Sequence, residues 1–290
     1  MNSLHMGCVI IAAGPREAGC ASACIGVFME KGDVLEQIRQ ADMVLVGLGE
    51  EFDDVKRLRD DTAYQSGRQM LLETGYDWLI PAWSEYCSGK LENVIVPALE
   101  NLLKILDGKN YFLVSLSTNS SIELVTGGTE RLVKPCGGVL EKQCARGCEG
   151  ELLPLEEKDR EILKAFFNEL YEGHYLCDSI PELGKCTKCG GSMVLNNIFA
   201  ENYNESAYLG RWQRYTRWLQ GTLNHQLFLL ELGVGMQFPT VVRWPFEKIA
   251  AYNEKAILCR IHEKLYHLPK EISLKGYGIS KNAIDWLGQL

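Results

Sequence analysis

The stretch Met43-Val44-Leu45-Val46-Gly47-Leu48-Gly49 carries the fold reading. It is a short, unbroken apolar run ending in glycines, the pattern of a strand buried on both faces of a parallel sheet. Residues 34–40 before it have helical spacing. After it, residues 93–106 read as an amphipathic helix with Val94, Val96, Leu99, Leu102 and Leu103 at apolar positions and Gly108 as a stop. Residues 111–116 form a second strand, running into the polar turn Ser117-Thr118-Asn119-Ser120-Ser121. Residues 227–232 form a third, closed by Gly233-Val234-Gly235. A helix over 245–252, a fourth strand over 256–261 and a closing helix over 280–287, capped by Ser280, complete the pattern. Strands alternating with helices predict an α/β fold: a doubly wound, mostly parallel, Rossmann-like sheet with helices on both faces. Ligands of such sheets bind beyond the carboxyl ends of the strands, which is where these turns fall.

The rhythm breaks over residues 136–189, which are rich in Cys, Gly and charge and hold one amphipathic helix at 158–171. We read this segment as a small inserted zinc-binding module. It divides the sheet domain into residues 31–135 and 190–290, with residues 1–30 as an N-terminal extension. A chain of 290 residues is long enough for one large core with such an insert. The formal net charge is −8 with no long basic run, which argues against a nucleic-acid partner. The apolar opening over 7–28 has no Lys or Arg ahead of it and is broken by Arg16 and Glu17. It matches neither a secretory signal nor a membrane span, so a cytoplasmic location and no membrane partner are expected.

Eleven cysteines in a chain of this length point to metal or reactive thiols rather than a disulfide scaffold. Cys144-x₃-Cys148 and Cys186-x₂-Cys189, the latter followed by Gly190-Gly191, offer four thiolates that can surround Zn²⁺ tetrahedrally. A closed set of four leaves no open position, so the zinc would be structural. The alternative is unligated buried cysteines, or a site that has lost its metal. The lone Cys8, Cys20, Cys24, Cys87 and Cys259 read as small buried hydrophobes. Gly47 and Gly49 suit a turn that lets backbone approach a phosphate, but taken alone they fit a plain tight strand-to-helix turn better.

Taken in order, these pieces resemble the sirtuin family, over roughly residues 35 to 290. That family has a Gly-Ala-Gly loop, then Thr-Gln-Asn-Ile-Asp after a strand, then His-Gly, two cysteine pairs, a Gly-Thr-Ser turn and an Ile-Asn strand end. Here Gly47-Leu48-Gly49, Ser117-Thr118-Asn119, Cys136-Gly137, the four cysteines, Gly233-Val234-Gly235 and Ile261-His262 follow in that sequence. Leu230-Glu231-Leu232-Gly233-Val234-Gly235, Arg243-Trp244-Pro245-Phe246-Glu247, Gln143-Cys144 and Asn196 look closer to a bacterial branch associated with transfer of ADP-ribose to a protein, often a lipoyl carrier protein. The resemblance implies NAD as cofactor, with Gly47, Gly49, Ser117, Thr118, Asn119, Gly233, Gly235 and His262 at cofactor-binding positions. Asn119, Cys136 and Ser121 fall at catalytic positions.

The departures from the family pattern bear on activity. Ser121 stands where the family has Asp, Cys136 where it has the general-base His, and His262 where it has Asn. A thiol with an ordinary pKa near 8.5 serves as a base only if its surroundings lower that value. ADP-ribosyl transfer asks less: binding, orientation and stabilisation of an oxocarbenium-like centre. After Gly49 the chain reads Glu50-Glu51-Phe52-Asp53-Asp54, with no match to the family's Gly-Ile-Pro-x-Phe-Arg. Four carboxylates there either repel a diphosphate or form a solvated helix start. The expected function is therefore NAD-dependent protein ADP-ribosyl transfer. The alternative is a catalytically degenerate fold sensing NAD or ADP-ribose or serving as a scaffold. NAD-dependent deacylation ranks third.

Overall fold

The computed structural model describes residues 31–148, 152–174 and 180–290. The N-terminal extension, with Cys8, Cys20 and Cys24, lies outside the described residues. The chain order is α1 (Lys31–Gln40), β1 (Met43–Leu48), α2 (Thr62–Glu73), α3 (Ile80–Ser88), α4 (Ile95–Ile105), β2 (Asn110–Ser115), α5 (Ser121–Thr126) and β3 (Leu132–Val133). It continues with β4 (Gly137–Cys144), β5 (Leu153–Pro154), α6 (Glu157–Tyr171), β6 (Met193–Asn197), α7 (Ser206–Gln220) and β7 (Leu227–Leu232). α8 (Arg243–Tyr252), β8 (Ala256–Ile261), β9 (Gly276–Ile279) and α9 (Ala283–Gly288) complete it.

The main sheet runs β3-β2-β1-β7-β8-β9, and every pairing in it is parallel. All six residues of β1 are buried, as its unbroken apolar run requires of a central strand covered on both faces. Alternate side chains of β1 go to opposite layers. Val44, Val46 and Leu48 pack with Val34 and Ile38 of α1, Leu99 and Leu102 of α4 and Trp286 of α9. Met43 and Leu45 pack with Tyr215 of α7 and Phe246 and Ala250 of α8. Gly47 falls on this second face, where an added Cβ would overlap Val242 and Phe246. Arg260, only 1% exposed, ties β8 to β7 through Glu231 at 2.5 and 3.1 Å and to α8 through Glu247 at 2.7 Å.

A second sheet, β5-β4-β6, is antiparallel and carries α6. Its core joins Leu163 and Phe167 of α6 to Tyr64 and Leu71 of α2 and Trp83 of α3. The fully buried Trp83 donates its indole N–H to the Tyr64 carbonyl at 3.0 Å, satisfying the one polar atom such a ring brings inside. Lys142 of β4 and Asp159 of α6 form a buried pair at 2.5 Å. This unit reaches beyond residues 136–189, because β6 at Met193–Asn197 is the partner of β4, and α2 and α3 pack on it.

Cys87 and Cys259 are buried, as read from the sequence. The closing helix starts later than expected: Asn282, not Ser280, accepts the Ile284 and Asp285 N–H groups at 3.0 and 3.2 Å and caps α9. Ser280 instead donates its hydroxyl to the Glu263 carbonyl. No helix among the described residues is long and apolar enough to cross a membrane.

Candidate functional site

The turns after β1, β2, β7 and β8 meet at the carboxyl edge of the main sheet. The Gly49 N–H donates to the Leu232 carbonyl at 2.9 Å. A Cβ on Gly49 would overlap the Gly233 carbonyl oxygen, so the turns following β1 and β7 lie directly against each other. Gly233 itself is left-handed at φ 64°, a conformation glycine adopts without strain.

Residues Glu50–Asp53 form one 3-10 turn, ended by Asp54 at φ 58°. Phe52 fills the core and is 2% exposed. The acids around it turn onto the edge of the sheet. Glu50 Oε2 accepts the Gly235 N–H at 2.7 Å. Glu51 accepts the Ala283 N–H at 2.7 Å and the Glu263 N–H at 3.3 Å. Asp53 Oδ1 accepts from the Ser117 hydroxyl and Thr118 N–H at 2.8 Å each, and from the Asn119 N–H at 3.1 Å. Asp54 Oδ2 accepts from the Ser88 hydroxyl at 2.6 Å and pairs with Arg57 at 3.2 Å.

The acids do not form a solvated helix start: Glu50, Glu51 and Asp53 are seated by backbone N–H groups of the kind that bind anions at strand-to-helix turns, and Asp54 by the Ser88 hydroxyl and Arg57. Burial pushes the Asp53 carboxyl up to about 6, against the pull of the Ser117 hydroxyl and the Asn119 N–H. Burial raises Glu51 as well, opposed by its two backbone donors.

The positions singled out in the sequence fall around this edge. Asn119 is buried, and its Oδ1 accepts the Ser121 N–H at 2.8 Å, fixing the first turn of α5. Its side-chain NH₂ makes no hydrogen bond among the described residues. Ser120 donates to Glu85 of α3 through both its N–H at 3.0 Å and its hydroxyl at 2.5 Å, which holds the Ser117–Ser121 turn against the second unit. Cys136 is 3% exposed, and burial, with the charges of Asp53 and Glu50, pushes its thiol up to about 12. His262 Nδ1 accepts the N–H groups of Lys264 and Leu265 at 3.0 and 3.1 Å. That acceptor role needs a neutral ring, and burial lowers the pKa in agreement. Glu51, at 3.7 Å from the same nitrogen, is therefore a neighbour rather than an ion-pair partner.

The four cysteines come together as their spacing implied. Cys144 at the end of β4 and Cys148 beyond it face Cys186 and Cys189, with all four sulfurs within 4.8 Å of one another. Cys144 lies 3.5 Å from Cys189 and Cys148 lies 3.4 Å from Cys186. A tetrahedral zinc with Zn–S near 2.3 Å sets sulfurs about 3.8 Å apart, so the cluster has the dimensions of such a site. The turn 186–191 is closed by Cys186 N–H to Gly191 O at 2.7 Å and Gly190 N–H to Cys186 O at 2.8 Å. The backbone N–H groups of Cys189 and Lys188 hold the Cys186 thiol down to about 6, which favours the thiolate a metal needs.

The sequence reading missed the seating of Glu50, Glu51 and Asp53, and the Glu85 clamp on Ser120. It also missed Lys134, which donates to the Asn119 carbonyl and to Glu123, at 2.7 Å each. None leaves a local signal, because each partner is distant in sequence.

Solved structures share this architecture. A sirtuin studied for the basis of its substrate affinity superposes with a TM-score of 0.53 at 12% identity, covering 90% of this chain and 97% of that one. A Sir2 mutant with a p53 peptide and NAD gives 0.55 at 12% identity, covering 90% and 97%. A mutant Sir2 homologue in complex with ADP-ribose gives 0.51 at 12% identity, covering 90% and 94%. The chain has the sirtuin fold. Within that fold, the cysteine cluster sits in the second unit and the acidic turn at the sheet edge. No family model matches this sirtuin-fold chain. Among curated proteins it is similar to one named protein ADP-ribosyltransferase from Staphylococcus aureus (strain Mu50 / ATCC 700699), at 22% identity over 201 residues and 66% of this chain. The match spans 62% of the length of that curated relative.

Proposed function

We propose that this protein binds NAD or ADP-ribose across the carboxyl ends of β1, β2, β7 and β8 and transfers ADP-ribose to a protein acceptor. The observation that carries the binding reading is the set of seats for anions at that edge: the N–H groups of Gly235, of Thr118 and Asn119, and of Ala283 and Glu263 each hold a carboxylate. Donors that hold a carboxylate also suit a phosphate. A diphosphate at Gly235 fits only by exchange, with Glu50 leaving. One charge-assisted hydrogen bond is worth about 1.5–3 kcal/mol. A micromolar ligand supplies about 8 kcal/mol, so the exchange is within reach. Glu50 Oε1, buried without a hydrogen-bond partner, makes the seated state less favourable than a fully paired one.

Transfer is favoured over deacylation by Cys136. At the position of the family's general base stands a thiol that is protonated at neutral pH. When bound, NAD supplies the glycosidic bond to nicotinamide that is broken. Asn119 has its carboxamide oxygen fixed by the Ser121 N–H, and its NH₂ group makes no hydrogen bond among the described residues. Zinc on Cys144, Cys148, Cys186 and Cys189 would be structural, holding β4 and the turn before β6. A lipoyl carrier protein is the acceptor to try first, and cytoplasmic residence fits such a partner.

The test is nicotinamide release from NAD by the zinc-loaded protein in the presence of carrier-protein acceptors. Release above that of an Asn119→Ala control supports transfer. Equal release, or none, removes it. A second reading, in which the protein senses NAD or ADP-ribose without turnover, is favoured by the seated acids and by Ser121 in place of the family's Asp. Binding of either ligand without nicotinamide release would select it.

A further inference from the structure

Helix α7 is set apart by its charge. In a chain with 38 acidic and 30 basic residues, this helix carries Arg211, Arg214 and Arg217 and no Asp or Glu. Only its Tyr215 is fully buried, packed against Phe112 of β2 on one face of the main sheet. At three-residue spacing the arginines lie side by side in a stripe about 9 Å long. Arg214 pairs with Glu130, just before β3, so the stripe runs along the flank of α7 that faces the β3 edge of the sheet. Arg131 joins it there: its guanidinium and the Trp218 indole N–H of α7 share Asn110 Oδ1, at 3.1 and 2.8 Å. Arg211 and Arg217 make no hydrogen bond or ion pair among the described residues. Helix stability does not account for the stripe. Like charges one turn apart repel, and no acid within the helix offsets them. The negative end of the helix favours Arg217, in the last turn, but not Arg211 or Arg214.

From this stripe we infer that the β3-facing flank of α7 is a docking face for an acidic segment of a protein partner, one whose carboxylates recur along a helix at the same spacing. Charge complementarity selects that partner. A guanidinium meets a carboxylate with paired, parallel hydrogen bonds, and arginine makes such pairs better than lysine. Each exposed pair contributes little, so only a partner that engages several arginines at once is held. A row of carboxylates does this and isolated acids do not. The net charge of −8 repels a long polyanion more than a short acidic segment, which ranks a protein above a nucleic acid on this face. The stripe lies along the flank of a helix that covers one face of the sheet, not at the carboxyl edge. The inference goes beyond nucleotide binding and does not rest on it.

The experiment is fluorescence anisotropy on the zinc-loaded full chain with two labelled, alanine-based helical peptides of equal charge. One carries three Glu at three-residue spacing along a single flank, and its isomer spreads them around the helix. At about 50 mM salt the striped peptide should bind about five-fold tighter than the isomer or more, and about 150 mM salt should weaken it. Arg211→Gln with Arg217→Gln should cost about ten-fold or more and leave the thermal midpoint unchanged, since neither residue has an internal partner to lose. Lys164→Gln with Lys248→Gln removes the same charge from exposed positions elsewhere and should cost less than about three-fold. Equal binding of the two peptides overturns the inference. So does an equal loss in the two double variants, or no binding of the striped peptide at millimolar concentration. A labelled oligothymidylate that binds as tightly as the striped peptide would give the face to nucleic acid. A dimer in sedimentation that Arg211→Gln with Arg217→Gln dissolves would give it to a second copy of this chain. Either result also overturns the inference.

Discussion

Glu51 Oε2 accepts the Ala283 N–H at 2.7 Å, fastening the turn after the first strand to the first residue of the last helix, 232 positions later. The other oxygen of the same carboxylate takes the Glu263 N–H, so one side chain joins the turns beyond β1, β8 and β9. This is a structural anion at a place where such folds bind a ligand anion. Removing it exposes what it holds. Glu51→Ala leaves two backbone donors unpaired, and unfolding in denaturant should show a loss of about 2–3 kcal/mol. A loss below about 0.5 kcal/mol would mean that water replaces the carboxylate at no cost.

The four-cysteine cluster makes a prediction independent of the nucleotide. Purified protein should carry one zinc per chain, and Cys186→Ser should lose it and unfold at lower temperature, because metal binding is coupled to folding of the segment that supplies the ligands. One zinc per chain in the variant would contradict the assignment.

Cys136 should behave as an inert core thiol. With its pKa pushed up to about 12 by burial, alkylation of the native protein at pH 8 should leave Cys136 unmodified, and Cys136→Ala should not shift any pH optimum of turnover. Mass spectrometry after brief iodoacetamide treatment reads this. Rapid labelling of Cys136 would restore it as a candidate base.

How much of this was legible in the sequence depends on the range of each interaction. β1 could be read because burial on both faces makes its residues uniformly apolar, and the four-cysteine cluster because each pair closes within one turn. Gly47 and Gly49 were visible as glycines, but not the reason for them. Gly47 makes room for Val242 and for Phe246 of α8, and Gly49 makes room for the Gly233 carbonyl. The acidic run was ambiguous because adjacent carboxylates look alike in sequence, while Asp53 finds Ser117 64 positions away and Glu51 finds Ala283 232 away. Ser280 and Asn282 are both good caps two residues apart, and only the path of the chain after β9 selects the second. The protonation of Cys136 depends on its enclosure, which no local pattern encodes.

Asp53 gives a pH window with a definite sign. Its folded pKa, about 6, lies above the ordinary 3.8, so the folded state binds the proton more tightly than the unfolded one. The Asp53 contribution to stability is fully present below pH 3.8 and is lost as the pH rises through about 6. The difference in unfolding free energy between the natural protein and Asp53→Asn should therefore vary between these limits and be flat above about pH 7. A difference that grows in favour of the natural protein as pH rises from 4 to 7 would reverse the assignment.

In the proposed function a ligand diphosphate and the Glu50 carboxylate compete for one seat, the Gly235 N–H. Calorimetric titration of the zinc-loaded protein with ADP-ribose, alongside Glu50→Ala, tests it most directly. Losing the competing carboxylate, and its charge beside a diphosphate, should tighten binding by about ten-fold or more. Unchanged or weaker binding in Glu50→Ala, or no ADP-ribose binding by either protein at millimolar concentration, would show that the seat belongs to the acid alone and that this cleft takes no nucleotide.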